Sequence, residues 1–186
     1  MAPADLIASR RPHRADARRN FDAVLAAAAE AFTDLGGEAS LGEIARRAGV
    51  GIATLYRHFP SRDDLIECVY TTSVDDLVRY GQSLDQADPA SLEDWLRRFT
   101  THLATKHALA AMLTRESEAY LVSREAIYGF AEPLFARARE AGAVRGDVDA
   151  DDVLRLVFAV TGGTYTDDAQ RDRAVRIVLD GIRPQP

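Results

Sequence analysis

The stretch of sequence that decides the fold runs from residue 40 to residue 65 and reads SLGEIARRAGVGIATLYRHFPSRDDL. Ser40 and Glu43 form a Ser-x-x-Glu pattern, which caps the N-terminus of a helix, and Gly49 is typical of a helix end. A second short helix is predicted over residues 52–59. The stretch therefore predicts two short helices joined by a tight turn.

The segment before this stretch predicts a longer helix that braces the pair. Its apolar residues recur at helical spacing on one face, and Gly36 with Gly37 ends the helix. These apolar residues are Phe21, Val24, Leu25, Ala28, Phe32 and Leu35. Three helices in this order form a helix-turn-helix unit, whose last helix has the geometry to enter a DNA major groove. A helical hairpin without a ligand has the same pattern, so geometry alone leaves both interpretations open.

The rest of the chain has the same helical period and lacks the sustained alternation of half-buried strands. Ser61, Ser91 and Asp149 each have an aspartate three residues later, a capping pattern that predicts a helix start at each position. Helices are also predicted over residues 110–121, 123–141, 149–161 and 168–182. Pro133 predicts a kink or a division within residues 123–141. The predicted fold class is all-α, with about nine helices.

Length and composition exclude several classes of protein. The chain has 186 residues, of which 47% are hydrophobic and 28% charged, as in ordinary globular proteins. No apolar run approaches about 18 residues, so no transmembrane helix is expected. The N-terminus lacks the pattern of a secretory signal, and we expect a cytoplasmic protein. Cys68 is the single cysteine, which excludes an intramolecular disulfide and a Cys-rich zinc site.

Charge is distributed unevenly along the chain, whose formal net charge is −6. Residues 10–62 contain nine arginines and six acidic residues, whereas residues 63–186 contain 14 basic and 22 acidic residues. A basic N-terminal third joined to an acidic remainder is the asymmetry expected when one end of a protein binds a polyanion.

The stretch quoted above closely resembles the N-terminal domain of the TetR (tetracycline repressor) family of bacterial transcription regulators. The resemblance covers about residues 14–70, and its most specific part is the series Ile-Ala…Ala-Gly-Val…Leu-Tyr-x-His-Phe within residues 44–59. The remainder resembles the family only in length and helix count. We therefore expect a flexible arm at residues 1–13, a DNA-binding domain at 14–62 and an effector-binding and dimerisation domain at 63–186.

The resemblance implies that the second short helix is a recognition helix whose exposed residues face base edges. These residues are Ile52, Ala53, Thr54 and Arg57. The Arg57 guanidinium matches guanine O6 and N7, Thr54 offers a hydroxyl or a methyl group, and Ile52 fits a thymine methyl. The competing interpretations are an arginine in solvent and a threonine bonded to its own helix.

Other residues are candidates for contacts with DNA phosphates. Tyr56 and His58 resemble the family's phosphate-binding residues, and Gly51 lets backbone N–H groups approach closely. Ser40 and Arg62 are further candidates because they begin the preceding and following helices. His58 is also compatible with a buried, neutral histidine bonded within the domain.

Five arginines precede or begin the first long helix. Arg18 and Arg19 are the stronger candidates for DNA contact because they adjoin the folded helix, whereas Arg10, Arg11 and Arg14 come before it. An arm that reaches a phosphate or a minor groove and a solvated tail are both compatible with this pattern.

A homodimer is expected because one recognition helix reads about four base pairs, too few to specify a site in a genome. The last two helices, residues 149–161 and 168–182, are apolar enough to form an intersubunit four-helix bundle, as in the resembled family. Burial of these faces within one subunit is the alternative.

The resembled family also binds a small effector that shifts the helix after the helix-turn-helix and releases DNA. Aromatic and soft side chains that are candidates to line such a pocket are Trp95, Phe99, His102, Met112, Tyr120, Tyr128 and Phe158. Each of them is also compatible with ordinary core packing.

No metal, cofactor or catalytic site is predicted. His102 and His107 are five residues apart and so fall on different faces of a helix, whereas a zinc-binding pair at i and i+4 shares one face. The sequence contains no Gly-x-x-x-x-Gly-Lys loop and no Gly-x-Ser-x-Gly motif.

The sequence favours a dimeric, ligand-responsive transcription repressor that binds a palindromic double-stranded operator and is not an enzyme. A helical small-molecule-binding protein or enzyme with a vestigial helix-turn-helix is the alternative, and a protein-interaction module is a third. The sequence specifies neither the effector nor the operator.

Overall fold

The computed structural model describes residues 2–184 and, within them, every side chain except those of residues 105–108. The described part of the chain is helical and contains no strand, which confirms the predicted all-α class. Its helices are α1 (Pro3–Arg10), α2 (Ala15–Leu35), α3 (Leu41–Arg47), α4 (Ile52–His58), α5 (Arg62–Ser83), α6 (Ala90–Met112), α7 (Glu118–Glu140), α8 (Ala150–Thr161) and α9 (Asp168–Gly181), with a 3₁₀ turn at Gly36–Glu38. None of the described helices combines the length and apolarity needed to cross a membrane.

The chain divides into two compact units. The first unit comprises Met1–Asp75 and Ala108–Arg124, and the second comprises Asp76–His107 and Glu125–Pro186. In the first unit Phe21, Val24, Ala28 and Phe32 of the predicted α2 stripe are buried, whereas Leu25 is half-buried and Leu35 is exposed. Side chains from α3 to α6 complete the core. Its largest fully buried members are Phe21, Val24, Ile44, Leu55, Phe59, Leu65, Val69 and Leu109.

In the second unit an aromatic cluster forms part of the core. The Trp95 ring is stacked on Phe99 and tilted against Phe130, with both pairs of ring centroids 5.4 Å apart. Gly81 on α5 makes room for this cluster, since a Cβ added to it would lie 2.3 Å from Phe130 Cζ and 2.7 Å from Trp95 Cδ1. Real Cβ atoms essentially never approach so closely, so a larger residue at this position would force the two rings to shift.

Helix starts follow the predicted capping patterns in most cases. Ser61 Oγ accepts a hydrogen bond from the Asp64 N–H at 3.0 Å before α5, and Asp149 Oδ1 accepts one from the Asp152 N–H at 2.9 Å before α8. Before α6 the prediction was wrong. Ser91 lies inside the first turn and donates its hydroxyl to the Asp85 carbonyl at 2.6 Å.

The middle of the chain also differs from the sequence expectation. The helix predicted at residues 110–121 is absent, because α6 continues to Met112 and α7 begins at Glu118. Ser117 Oγ accepts a hydrogen bond from the Tyr120 N–H at 3.2 Å and so caps α7. Pro133 lies inside α7, which is assigned as one helix and not as two pieces.

Candidate nucleic-acid interface

The turn between α3 and α4 is built from local hydrogen bonds. Gly49 has φ of +68°, a left-handed conformation that glycine adopts at little cost. The Val50 N–H donates to the Ala45 carbonyl at 3.0 Å and the Gly49 N–H donates to the Arg46 carbonyl at 3.2 Å. This pair of bonds is the Schellman motif, and it fixes the direction in which the chain enters α4.

The inner side of α4 is held by aromatic packing. Leu55 and Phe59 are fully buried, and the Phe59 ring stacks on Phe21 of α2 with centroids 4.8 Å apart. Because two of its residues are fixed in the core, α4 can present the rest of its surface in a defined orientation.

The outer side of α4 is exposed along its length. Ile52 is 45% exposed and Tyr56 48% exposed, and Ala53 and Arg57 are exposed as well. Thr54 is half-buried, and its Oγ1 lies 3.4 Å from Nη2 of Arg57. The base-facing candidates thus lie together on one short helix. Its outer side offers an apolar group, a hydroxyl group and a guanidinium group.

His58 lies differently from the exposed residues of α4. It is half-buried, its Nε2 has no hydrogen-bond partner among the described residues, and its ring meets Phe21 edge-on at 6.1 Å. Burial, together with the charge of Arg57, lowers the pKa of His58 below its ordinary value. This placement agrees with a neutral, inward-facing histidine better than with a phosphate-binding one.

The N-terminal arginines fall into two groups. Arg18 and Arg19 are exposed on the first turns of α2, and Arg19 forms an ion pair with Asp16. Arg10 and Arg11 instead bind within the first unit, with Arg10 Nη2 2.9 Å from Glu67 Oε2 and Arg11 Nε 2.9 Å from Asp22 Oδ1.

The segment expected as a flexible arm therefore contains a short helix with fixed partners. Pro3 begins α1, the Ala2 N–H donates to Asp5 Oδ2 at 2.9 Å, and Leu6 is buried. Proline at the first helical position and an acidic residue in the first turn both favour helix initiation. This local chemistry and the Arg10 ion pair give the segment a helix in place of an open arm.

An ion-pair network on α3 was not predicted. Glu43 accepts hydrogen bonds from Arg46 and Arg47 at 2.8 to 2.9 Å, and Arg47 also binds Asp34 of α2 at 2.7 Å. These two arginines hold the pKa of Glu43 down to about 2. Spacings of three and four residues within a helix predict the pairs of Glu43 with Arg46 and Arg47. No local pattern predicts that Asp34 of α2 is a further partner of Arg47.

The remaining phosphate candidates begin helices or precede them. Ser40 is exposed, and its Oγ accepts a hydrogen bond from the Glu43 N–H at 3.2 Å, which leaves its hydroxyl proton for an outside acceptor. Gly51 is exposed and precedes α4. Arg62 is half-buried, and its guanidinium binds the backbone carbonyls of Gly37 and Ala39, between α2 and α3.

The candidates for an effector pocket are divided between the two units. Trp95, Phe99, His102, Tyr128 and Phe158 belong to the second unit, where Trp95 and Phe99 are core residues and Phe158 is 45% exposed.

The other two candidates, Met112 and Tyr120, belong to the first unit. Met112 ends α6, and its Cε would lie 3.1 Å from a Cβ built on Gly37. Tyr120 lies near Tyr70, and burial together with this neighbour raises the pKa of Tyr70 to about 12.

Among the residues that the structure describes, no group of three or more His, Cys, Asp or Glu side chains is placed to hold an ion. His107 lies among the residues whose side chains are outside the described set. Cys68 is a free, buried thiol, and burial raises its pKa.

Two family models match the chain. Residues 24–69 match the model of bacterial regulatory proteins of the tetR family. Residues 88–184, just over half of the chain, match the C-terminal domain of SbtR-like transcriptional regulators.

Individual relatives agree with these matches. A TetR transcriptional regulator from Streptomyces coelicolor is 34% identical, with a TM-score of 0.69 over 89% of this chain and 99% of its own. A TetR regulatory protein from Mycobacterium vanbaalenii is 33% identical, with a TM-score of 0.70 over 93% of this chain and 100% of its own. The transcriptional repressor KstR2 of Mycolicibacterium smegmatis is 29% identical over 87% of this chain and 89% of its own length. The chain belongs to the TetR family and is a DNA-binding transcriptional regulator with an N-terminal helix-turn-helix.

Proposed function

We propose that the protein is a homodimeric repressor that binds a palindromic operator through α4 and leaves it when a small molecule binds. The observation that carries this proposal is the outer side of α4. Arg57 and Thr54 share this side with exposed Ile52, while Leu55 and Phe59 anchor the helix in the core. These groups match the donors, acceptors and methyl groups of a major groove.

The proposed contacts divide by chemistry. Ile52, Ala53, Thr54 and Arg57 would face base edges, while exposed Tyr56 and Ser40 would donate hydroxyl protons to phosphates. Exposed Arg18 and Arg19, near the N-terminus of α2, would add positive charge. His58 and Arg62 fit this role less well. The His58 ring packs edge-on against buried Phe21, and the Arg62 guanidinium binds backbone carbonyls.

The proposed dimer uses α8 and α9. Leu156 on α8 is 53% exposed and Ile177 on α9 is 72% exposed, and Phe158 adds a third exposed apolar side chain. Exposed apolar side chains on these two helices favour a partner surface. A second copy of the chain is the partner that operator symmetry requires, because two recognition helices must read two half-sites.

The proposed effector binds in the second unit. Trp95 is completely buried, and its Nε1 has no hydrogen-bond partner among the described residues. An unpaired buried donor costs free energy, which an acceptor on a bound ligand would recover. To release DNA usefully, such a ligand must favour the released form by about 1 to 3 kcal/mol. A repressor role is supported by the similarity to KstR2 of Mycolicibacterium smegmatis.

The proposal is tested by titrating the purified protein against labelled DNA fragments that flank its own gene. Random duplex serves as competitor, and the titration is repeated at several salt concentrations. An operator-binding dimer is expected to resist the competitor, to protect a palindrome and to lose affinity linearly in log salt. Weak binding that is equal for all fragments in a genome-wide selection would favour a small-molecule-binding protein or enzyme with a vestigial helix-turn-helix.

A further inference from the structure

The side chain of Arg62 binds the backbone that leads into α3. Its Nη2 donates a hydrogen bond to the Gly37 carbonyl at 2.8 Å, and its Nη1 donates to the Ala39 carbonyl. Its Cζ also lies over the Phe32 ring, 5.3 Å from the centroid. The two hydrogen bonds fall on the short stretch that joins α2 to α3, and the ring contact falls on the last turn of α2.

The backbone hydrogen bonds within this stretch are few and weak, although the Ala39 side chain is buried. Gly36 has φ of +54°, the following 3₁₀ turn spans three residues, and one of its bonds, from the Ala39 N–H to the Gly36 carbonyl, is long at 3.4 Å. Backbone carbonyls that no N–H of a regular helix reaches need donors from elsewhere. The two donors of Arg62 satisfy two such carbonyls at once.

The position of these carbonyls links Arg62 to the recognition helix. The Ala39 carbonyl belongs to the same peptide plane as the N–H of Ser40, and Ser40 caps α3. A guanidinium that fixes this plane therefore fixes where α3 begins. Because the turn at Gly49 is held by its own hydrogen bonds, the orientation of α3 determines the orientation of α4.

We propose that Arg62 is a positioning residue for operator reading, which holds the start of α3 so that α4 meets base edges in register. This inference rests on the proposed operator binding and assigns Arg62 a role other than a phosphate contact. The planar, forked guanidinium group of arginine is essential to that role, since it binds two carbonyls while its face lies over the Phe32 ring. A lysine keeps the charge but lacks the fork.

The test compares Arg62→Lys and Arg62→Gln in the full-length protein, with Arg139→Gln on the exposed end of α7 as a control for loss of charge. Affinity for the operator and for random duplex is measured at several salt concentrations. Thermal unfolding of each variant shows whether it is folded. Amide hydrogen exchange over residues 36–47 reports whether the start of α3 has loosened.

A positioning role predicts that both Arg62 variants lose operator affinity by roughly tenfold, the scale of one misplaced base contact. Their affinity for random duplex and their salt dependence should stay near those of the wild type, and exchange over residues 36–47 should accelerate. A partly unfolded protein would instead lose both affinities together, so the ratio of the two distinguishes misplacement from misfolding.

Two other outcomes overturn the inference in different ways. If Arg62→Lys binds the operator like the wild type while Arg62→Gln loses affinity and its salt slope falls by about 0.9 per phosphate, Arg62 is a phosphate contact. If the wild type itself does not prefer the operator over random duplex, the proposed function fails, and the positioning role fails with it.

Discussion

The rings of Phe21 and Phe59 are stacked 4.8 Å apart with an angle of 26° between their planes, and both side chains are buried. Phe21 lies on α2 and Phe59 follows the last residue of α4. This one contact therefore joins the brace helix to the recognition helix. Its loss should affect the stability of the first unit and the orientation of α4 together.

Replacement of Phe21 by alanine should lower the free energy of unfolding by about 3 to 5 kcal/mol, because it removes a fully buried ring and leaves a cavity. Urea unfolding followed by circular dichroism measures the change. Leu35→Ala removes a side chain from the same helix that is 44% exposed, and it should change stability by no more than about 0.5 kcal/mol. Equal effects of the two variants would contradict the packing described for α2.

The ion pairs of Glu43 should make stability depend on pH in the acid range. The pKa of Glu43 is about 2 in the folded protein, below its ordinary value of about 4.3. The folded state thus binds fewer protons, so the stabilisation is complete above the ordinary pKa and is lost as pH falls toward about 2.

Wild type and Glu43→Gln should accordingly differ most in stability above about pH 5 and converge near pH 2. Urea unfolding at a series of pH values measures this difference. Glu30→Gln is the control, because Glu30 is an exposed carboxylate on α2. A difference for Glu43→Gln that stays constant over the whole range would show that the network adds nothing to the stability of the folded state.

Gly81 and Gly129 provide a matched pair of helical glycines in the second unit. Gly81→Ala should lower stability by about 1 to 3 kcal/mol, because the new methyl group overlaps Phe130 and Trp95. Gly129→Ala meets nothing within 4 Å and should raise stability by about 0.5 to 1 kcal/mol through helix propensity. In the Gly81→Ala background, Phe130→Leu should lower the free energy of unfolding by less than it does in the wild type. Additive effects would show that Gly81 does not make room for this ring.

The proposed dimer surface is tested by placing charge on it. Leu156→Asp and Ile177→Asp should convert the dimer to a monomer and abolish tight operator binding, because each buries an unpaired carboxylate at the interface. Leu121→Asp is the control, since Leu121 is 51% exposed but lies in the first unit. Light scattering after size-exclusion chromatography measures the mass, and a dimer that survives both changes would place the interface elsewhere.

Local chemistry made much of the fold predictable from the sequence. The caps at Ser40, Ser61 and Asp149 depend on residues three apart, and they occur where the pattern placed them. The exposed side of α4 follows from the spacing of Leu55 and Phe59 on its other side.

Contacts between distant segments could not be predicted in this way. Arg62 and Gly37 are 25 residues apart and Arg47 and Asp34 are 13 apart, and neither pair has a local signal. The same limit applies to Arg62, for which the sequence predicts a phosphate contact, and to residues 1–13, for which it predicts a flexible arm. In both cases a partner elsewhere in the first unit binds the guanidinium.

The measurement that tests the central claim most directly is the ratio of operator affinity to random-duplex affinity for Arg57→Ala, with Arg139→Ala as the control. If α4 reads base edges, Arg57→Ala should lose about 1 to 3 kcal/mol of discrimination at each half-site and tolerate substitution of the guanine it contacts. Arg139→Ala should keep the wild-type ratio. An Arg57→Ala protein that keeps both the ratio and the site preference would contradict the assignment of α4 as the DNA-reading helix.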